Sequence, residues 1–257
     1  MYNVEYFGVI DIPALTLTAF TLFFIGLIVY LRREDRREGY PIEDDVTGRR
    51  EPAQGFLFVA QPKTFRLAGG GTVSKPDGSR DAFELKASRS SPVPGTPLQP
   101  TGDPMLAALG PGAYADRAKT PDLTDHGLAK IVPLRAAKTY FVEKNDPDPR
   151  GYTVLGRDGR VAGTVSDVWI DQGEYLARYV EVELTGGGRR VLLPLTMAVV
   201  RRGRKVVQTD AVLASQFADA PSTAAPDQVT RDEEERIAAY FGGGYLYATP
   251  NRAEPWL

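Results

Sequence analysis

The chain has 257 residues, of which 42% are hydrophobic and 25% are charged, and its 31 Lys and Arg against 33 Asp and Glu give a net charge of −2. This balance excludes a disordered acidic tail, a basic nucleic-acid coat and a polytopic transporter. Because the chain has no Cys and only one His, His126, disulfides, thiolate-held metals, cysteine nucleophiles and multi-histidine metal sites are excluded as well.

An uncharged stretch of 20 residues near the N-terminus, from Ile12 to Leu31, predicts a transmembrane helix. Its helical length of about 30 Å equals the thickness of the hydrocarbon core. Pro13 falls in the first turn, where a missing N–H is harmless, and Tyr30 falls at the far end, which suits a membrane interface. A cleaved signal peptide is disfavoured because residues 1–11 contain no Lys or Arg and the stretch does not end in small residues.

The charges that flank this stretch predict its orientation. No basic residue precedes it, whereas Arg32, Arg33, Arg36 and Arg37 follow it. The positive-inside rule therefore predicts an N-terminus outside the cell membrane and a cytoplasmic body over residues 32–257.

The next region, up to residue 129, lacks a clear periodic pattern. Gly39 and Pro41 are expected to end the helix. Residues 52–125 are rich in Gly and Pro but also contain apolar fragments such as residues 56–59. This composition is compatible with a linker, and equally with a segment that lies on its own domain or on a partner.

From Lys130 onward the sequence predicts short strands in a small antiparallel barrel or sandwich. The expected strands cover residues 139–142, 152–155, 161–170, 175–184, 191–193, 198–200 and 206–207. Asp158-Gly159 between two of them is typical of a tight hairpin.

Two helices are predicted after the strands, over residues 211–218 and 230–241. In the second, Thr230 with Glu233 three residues later forms the sequence pattern of a capping box. Gly242-Gly243-Gly244 directly follows and is expected to end that helix as a C-cap.

The segment with the richest candidate chemistry surrounds the predicted strand 175–184. Strand alternation places Arg178 on its apolar face and Glu181 and Glu183 on the other face. A buried Arg requires a carboxylate partner, and Asp171 and Glu174 are the nearest candidates. Such a cluster is either a structural ion pair or a set of groups with shifted pKa values that can relay protons.

Two further groups of titratable residues have an unremarkable alternative explanation. Asp125 and His126 are adjacent, and histidine is the side-chain type suited to proton transfer near neutral pH, although a lone His in a loop is usually only solvated. The acidic run from Asp232 to Glu235 usually forms a solvated helix face. No P-loop or dinucleotide motif is present, and the apolar stretch contains no His, the usual ligand of a chlorophyll or haem.

Several longer segments resemble the H subunit of the photosynthetic reaction centre of purple bacteria. The resemblance rests on Tyr30-Leu-Arg-Arg-Glu-Asp-Arg-Arg-Glu-Gly-Tyr-Pro41, Pro100-Thr-Gly-Asp-Pro-Met105 and Asp167-Val-Trp-Ile-Asp171. Further matches cover residues 26–28, 62–65, 130–134, 181–184 and 243–247. A membrane-anchored PRC-barrel adaptor that binds an unrelated protein partner is the alternative, and a membrane-tethered enzyme lacks a nucleophile–base pair.

The resemblance implies a single transmembrane α-helix and an α+β cytoplasmic domain with a small antiparallel PRC-type β-barrel. The implied organisation is a periplasmic tail over residues 1–11, the transmembrane helix over 12–31, an extended cytoplasmic region over 32–129, and the barrel domain with its C-terminal helix over 130–257. The implied location is the intracytoplasmic (chromatophore) part of the bacterial inner membrane.

In function, the resemblance implies a non-catalytic subunit of a light-driven electron-transfer complex. This subunit caps the L and M subunits on the cytoplasmic side, stabilises the complex, shields the quinone sites and supplies part of the proton path to the secondary quinone. Bacteriochlorophyll, bacteriopheophytin, quinones and non-haem iron are expected in the partner subunits, with no cofactor or metal held by this chain's side chains. Membrane lipids are expected partners. Members of the family can also associate with light-harvesting antenna subunits and a cytochrome, whereas nucleic acid is not expected as a partner.

The resemblance also assigns roles to individual positions. It places Glu174 in the proton path, with Asp171 and Arg178 as its charged neighbours. His126 corresponds to one histidine at the family's proton uptake point, and Leu128 stands where the second histidine would be, with Asp125 beside them. Gln228 replaces a further glutamate of the path, whose role is expected to pass to Asp227, Glu233 or Glu234, while Tyr30 matches a tyrosine at the lipid boundary.

Overall fold

The structure, a computed structural model, describes residues 5–6, 10–40, 42–44, 46–49, 60–79 and 84–252. It divides into two compact units, the first formed by residues 1–84 and 91–97 and the second by residues 85–90 and 98–257. The apolar fragment 56–59 and Pro41 lie outside the described residues.

The first unit contains one long helix, α1, which spans Ile12–Glu34 and is preceded by the short strands β1 (Glu5–Tyr6) and β2 (Ile10–Asp11). A 3-10 turn, Asp35–Arg37, continues α1, and Gly39 with a φ of +75° follows it. No residue of α1 is buried, and most of its Leu, Phe and Ile side chains are exposed. Within the described part of the chain, α1 with its 3-10 extension is the one helix long and apolar enough to cross a membrane.

Short hairpins occur in both units. In the first unit, β3 (Lys63–Arg66) pairs antiparallel with β4 (Thr72–Lys75). In the second unit, β5 (Ala87–Arg89) pairs antiparallel with β6 (Leu98–Pro100), and 3-10 turns follow at Pro104–Leu106 and Gly110–Gly112. For residues 52–125 the sequence was compatible with a linker and with a folded segment. The described part of this range, residues 60–79 and 84–125, forms hairpins, turns and irregular chain.

The second unit is built on a seven-stranded sheet. Its strands are β7 (Ile131–Pro133), β8 (Thr153–Leu155), β9 (Val161–Asp171), β10 (Leu176–Leu184), β11 (Arg190–Pro194), β12 (Ala198–Arg201) and β13 (Val206–Thr209). The order is β11-β10-β9-β8-β13-β12, with β7 paired to β9. All pairings are antiparallel except that of β8 with β13.

The chain connection between the outer strands shows that this sheet is strongly curled. β11 ends at Pro194, and β12 at the opposite edge begins at Ala198 after one 3-10 turn. Four residue steps span at most about 14 Å, whereas the outer strands of a flat six-stranded sheet lie about 24 Å apart. The sheet must therefore bend round towards closure, as a small barrel requires.

Helix α2, Arg231–Tyr247, is packed against the sheet. Ile237 and Phe241 of α2 are fully buried in the core that also contains Trp169, Leu193 and Phe217. The predicted capping box is confirmed, since Thr230 Oγ1 accepts a hydrogen bond from Glu233 N and Glu233 Oε2 accepts one from Thr230 N.

The prediction that Gly242-Gly243-Gly244 ends this helix is wrong, because all three residues lie inside α2. Their lack of a side chain allows close backbone contact. A Cβ on Gly244 would lie 2.4 Å from Ala211 O, and one on Gly243 would lie 3.1 Å from the Cα of Gly112.

Two other local predictions are also wrong. Residues 139–142 form a turn and irregular chain, in which Tyr140 and Val142 pack against a small core around Val168 and Ile170 without adding a strand. The helix expected over 211–218 is a 3-10 helix at Ala214–Asp219. The strands predicted at 152–155, 161–170, 175–184, 191–193, 198–200 and 206–207 are confirmed within one or two residues, as is the hairpin turn at Asp158-Gly159.

Candidate functional site

A cleft of about 520 Å³ lies between the loop 122–130 and the turn that joins β9 to β10. It brings together three residues singled out in the sequence, Asp125, His126 and Glu174. His126 Nε2 lies 3.8 Å from Asp125 Oδ1, and both side chains are exposed. Leu128, Lys130, Tyr140 and Tyr175 also line the cleft, so it combines ionisable and apolar groups.

Asp171, at the end of β9, organises the turn that forms one wall of this cleft. Its side chain is buried, and its Oδ1 accepts hydrogen bonds of 2.9 Å from both Gly173 N and Glu174 N. Burial acts to raise the pKa of Asp171, but these N–H groups and the cations Arg178 and Lys130 outweigh it, and the pKa lies below its usual value. Asp171 is thus a fixed negative charge at neutral pH.

Glu174 projects from this turn and is held between two cations. Arg178 Nη2 donates to Glu174 Oε2 at 2.7 Å, and Lys130 Nζ donates to Glu174 Oε1 at 3.2 Å. The same two cations lie within 3.4 Å of Asp171 Oδ2. The sequence did not single out Lys130, because it is 44 positions from Glu174 and only the pairing of β7 with β9 brings the two together.

The predicted ion pairing of Arg178 with Asp171 and Glu174 is confirmed, but the prediction that Arg178 is buried is wrong. Its side chain is 39% exposed, whereas Asp171 is the buried member. Tyr179 to Val182 of β10 are all buried, so both faces of this part of the strand are covered. Glu181, expected opposite the apolar face, is therefore buried as well, on the face opposite Val180 and Val182.

Glu234 of α2 is a partly buried carboxylate under the influence of the same cluster. Its Oε2 accepts a hydrogen bond of 3.3 Å from the hydroxyl of Tyr179, the neighbour of Arg178 in β10. Burial raises the pKa of Glu234, the Tyr179 hydrogen bond lowers it, and the negative charge of Asp122 raises it further, with the net pKa above its usual value. A carboxyl group of this kind can exchange protons closer to neutral pH than an exposed one.

The other acidic candidates are engaged elsewhere. Glu233 accepts from Thr230 in the capping box and from Ala224 N at 2.7 Å, so the structure does not bring it to the cleft. Asp227 pairs with Arg135 at 3.1 Å. Tyr30 lies on α1 with about half of its surface exposed, one turn before the helix ends at Glu34.

A second ionic cluster, which sequence reasoning missed, is buried inside the sheet around Glu181. Its carboxylate accepts hydrogen bonds from Arg135 Nη1, Trp169 Nε1 and Ser166 Oγ, all at 2.8 Å, and from Arg190 Nη1 at 3.2 Å. Burial acts to raise the pKa of Glu181, but these donors, Arg135 foremost, hold it below its usual value. Asp167 shares the Arg135 guanidinium at 3.1 Å, so the cluster fixes residue 135 to both β9 and β10.

The described residues contain no group of three or more His, Asp or Glu side chains that could hold a metal ion. Within the cleft, Asp125 and His126 are two potential metal ligands, and Leu128 beside them supplies no third one.

Two family models match the chain. The model of the N-terminal region of the photosynthetic reaction centre H-chain matches residues 4–136, and the model of the PRC-barrel domain matches residues 141–215. The first match alone covers 133 of the 257 residues, which is more than half of the chain. The matches confirm the resemblance found in the sequence, and the second confirms the predicted PRC-type barrel.

Proposed function

The chain belongs to the H-chain family of the photosynthetic reaction centre, and from this premise we propose that it caps the L and M subunits on the cytoplasmic side and relays protons towards the secondary quinone. As a reaction-centre subunit it associates with other subunits of that complex. The alternative of an unrelated membrane-anchored adaptor is disfavoured, because the matched H-chain region includes the membrane helix as well as the loops behind it.

The proposed topology follows from α1 and its flanking charges. The exposed apolar surface of α1 needs a bilayer, since a water-soluble chain rarely exposes so large an apolar area. The hydroxyls of Thr18 and Thr21 donate to the carbonyls of Ala14 and Leu17, so these polar groups are satisfied within the helix. Arg32 and Arg33 in the last turn favour a cytoplasmic C-terminal end, and hence an N-terminus in the periplasm.

The single observation on which the proton path rests is the ionic group at the cleft. Asp171 is held as an anion, so its proposed role is to position the turn and attract protons electrostatically, with Arg178 and Lys130 holding Glu174 in place. Glu174 and His126 face the cleft and can exchange protons with solvent. Glu234, with its raised pKa, is the inner group that would accept a proton next.

In this proposal the chain contributes carboxylates and no redox chemistry of its own. The bacteriochlorophylls, bacteriopheophytins, quinones and iron belong to the partner subunits. The barrel covers the quinone sites from the cytoplasm, and the cleft provides the aqueous opening through which protons enter.

The test is the substitution Glu174→Gln in the assembled reaction centre. Because the amide cannot titrate, we expect proton-coupled transfer of the second electron to the secondary quinone to slow by roughly tenfold or more, while primary charge separation is unchanged. Flash-induced absorption kinetics measure both steps. Glu183→Gln is the matched control, since the side chains of Glu174 and Glu183 are both 48% exposed but Glu183 is bound to Arg190 away from the cleft. Second-electron kinetics that do not differ from those of the parent would remove Glu174 from the path.

A further inference from the structure

The proposed function leaves unexplained a strongly basic segment in the second unit. Residues 184–209 contain six cations and no carboxylate, although the whole chain has a net charge of −2. The six are Arg189, Arg190, Arg201, Arg202, Arg204 and Lys205. The last four occupy five consecutive positions at the connection between β12 and β13.

This connection is a projecting hairpin tip that presents its charges to solvent. β12 and β13 pair antiparallel, and the 3-10 turn Arg202–Arg204 joins them. All four basic residues are exposed, and along β12 the exposed residues alternate, so Val199 and Arg201 share the outer face. Lys205 has a φ of +51°, a conformation that is uncommon for a residue with a side chain, and its N–H and C=O are held by Arg202 O and Thr153 N.

Within the described residues, the hairpin cations also differ from most other arginines of the second unit, which have an anionic partner. Arg135, Arg178 and Arg236 each lie within 4 Å of two or more carboxylates. Over the described ranges of the chain, no carboxylate lies that close to any of the four hairpin cations. Four like charges this close repel one another, and nothing within the described fold offsets that repulsion.

An exposed aromatic side chain belongs to the loop beside this tip. Arg202 Nη1 donates to Asn145 O at 3.2 Å, which joins the hairpin to the loop 141–145. Phe141 in that loop is 81% exposed, and Lys144 adds a further exposed cation. The loop continues to Arg150 and contains three carboxylates, Glu143, Asp146 and Asp148, of which Glu143 accepts from Asn145 N and Asp148 pairs with Arg150.

We propose that this hairpin tip, Arg201–Lys205 with Phe141 beside it, binds the anionic phospholipid headgroups of a bilayer. Guanidinium groups match phosphate oxygens in a bidentate geometry. An aromatic ring next to several cations, such as Phe141 beside this tip, is typical of segments that bind at the headgroup level of a membrane. A projecting tip allows several cations to reach a flat anionic surface together.

A bilayer is favoured over an acidic protein because α1 already attaches the chain to one. Attachment makes binding intramolecular and raises the effective headgroup concentration. The bilayer is either the one that α1 spans or a neighbouring membrane, and both present the same chemistry. The inference uses the membrane anchor but not the proton path, so the two can fail separately.

The experiment uses the absence of cysteine from the chain. The full chain with Val199→Cys is labelled with an environment-sensitive dye and inserted into nanodiscs of phosphatidylcholine, with or without phosphatidylglycerol. A blue shift of the dye emission in anionic discs would identify the chain's own bilayer as the binding partner. A blue shift that appears only when anionic vesicles are added to protein in neutral discs would identify a neighbouring bilayer. In both cases we expect high salt to reverse the shift.

The variant R201Q/R202Q/R204Q/K205Q should lose the shift, and its affinity for anionic vesicles should be at least about tenfold weaker. The control R66Q/K86Q/K119Q/R160Q removes the same charge from other exposed positions. It should keep the emission shift and the affinity for anionic vesicles. Phe141→Ala should weaken vesicle binding without abolishing it. The proposal would be overturned if neither membrane arrangement gave a shift, or if the control variant lost the shift equally. A shift with polyglutamate but not with anionic vesicles would also overturn it, in favour of an acidic protein partner.

Discussion

Replacing Glu181 by alanine should destabilise the second unit more than any change at an exposed carboxylate. The substitution removes the acceptor of four side-chain donors, including Trp169 Nε1, which belongs to a fully buried indole. An unsatisfied buried donor costs about 1–3 kcal/mol, and removing one partner of a buried ion pair costs about 3–5 kcal/mol. Arg135 retains Asp167 and Asp227 and is 35% exposed, so the expected total is about 3 kcal/mol.

The assay is urea unfolding of the full chain, monitored by Trp169 fluorescence in a Trp256→Phe background. Glu183→Ala is the control in the same strand, because its carboxylate is half exposed and lies 3.8 Å from Arg190, and exposed pairs contribute at most about 1 kcal/mol. A loss below about 1 kcal/mol for Glu181→Ala, or an equal loss in both variants, would refute the view that this buried network stabilises the sheet.

Comparison of the parent with Glu181→Gln gives a pH dependence of known sign. The pKa of Glu181 in the folded chain lies below the value of 4.5 that the free side chain has. Its stabilising contribution is therefore complete above that value and declines as the pH falls towards the folded pKa. We expect the stability difference between the parent and Glu181→Gln to be constant near neutral pH and to shrink in acid, and a difference that grows in acid would contradict the assignment.

Two further outcomes follow from the packing of α2 and from the cleft. Gly244→Ala should cost at least about 2 kcal/mol in the same unfolding assay, since its Cβ would meet Ala211 O at 2.4 Å, whereas Gly203→Ala, with no atom within 4 Å of its Cβ, should be nearly neutral. Zinc should inhibit proton uptake only weakly in the parent, because Leu128 offers no ligand beside His126, and Leu128→His should tighten inhibition by roughly tenfold or more. Submicromolar inhibition of the parent would contradict this reasoning.

Features with a local cause could be predicted from the sequence. The apolar length of α1, the β-rich composition of β9, the Asp158-Gly159 turn and the capping box at Thr230 each depend on residues within a few positions of one another. The pairing of Arg178 with Asp171 and Glu174 could be predicted in the same way, because the two carboxylates lie in the turn that precedes Arg178.

Features that depend on tertiary contacts could not be predicted in this way. Glu181 lies in a part of β10 that is buried on both faces, and its partner Arg135 is 46 positions away in the sequence. Lys130 reaches Glu174 only because β7 joins the sheet. The three glycines of α2 have the sequence pattern of a helix end. Their actual role depends on the backbones of Gly112 and Ala211, which contact them in the folded protein.

The position of β7 has a consequence for how such a protein can be divided or recombined. β7 belongs to the part of the chain matched by the H-chain model, yet it pairs with β9 of the part matched by the PRC-barrel model. A fragment cut between residues 136 and 141 would leave the edge of β9 without its neighbour, and unpaired strand edges promote aggregation. The border between the two sequence families is therefore not a border between two folding units, and an exchange of barrels among related proteins would have to take residues 131–133 along.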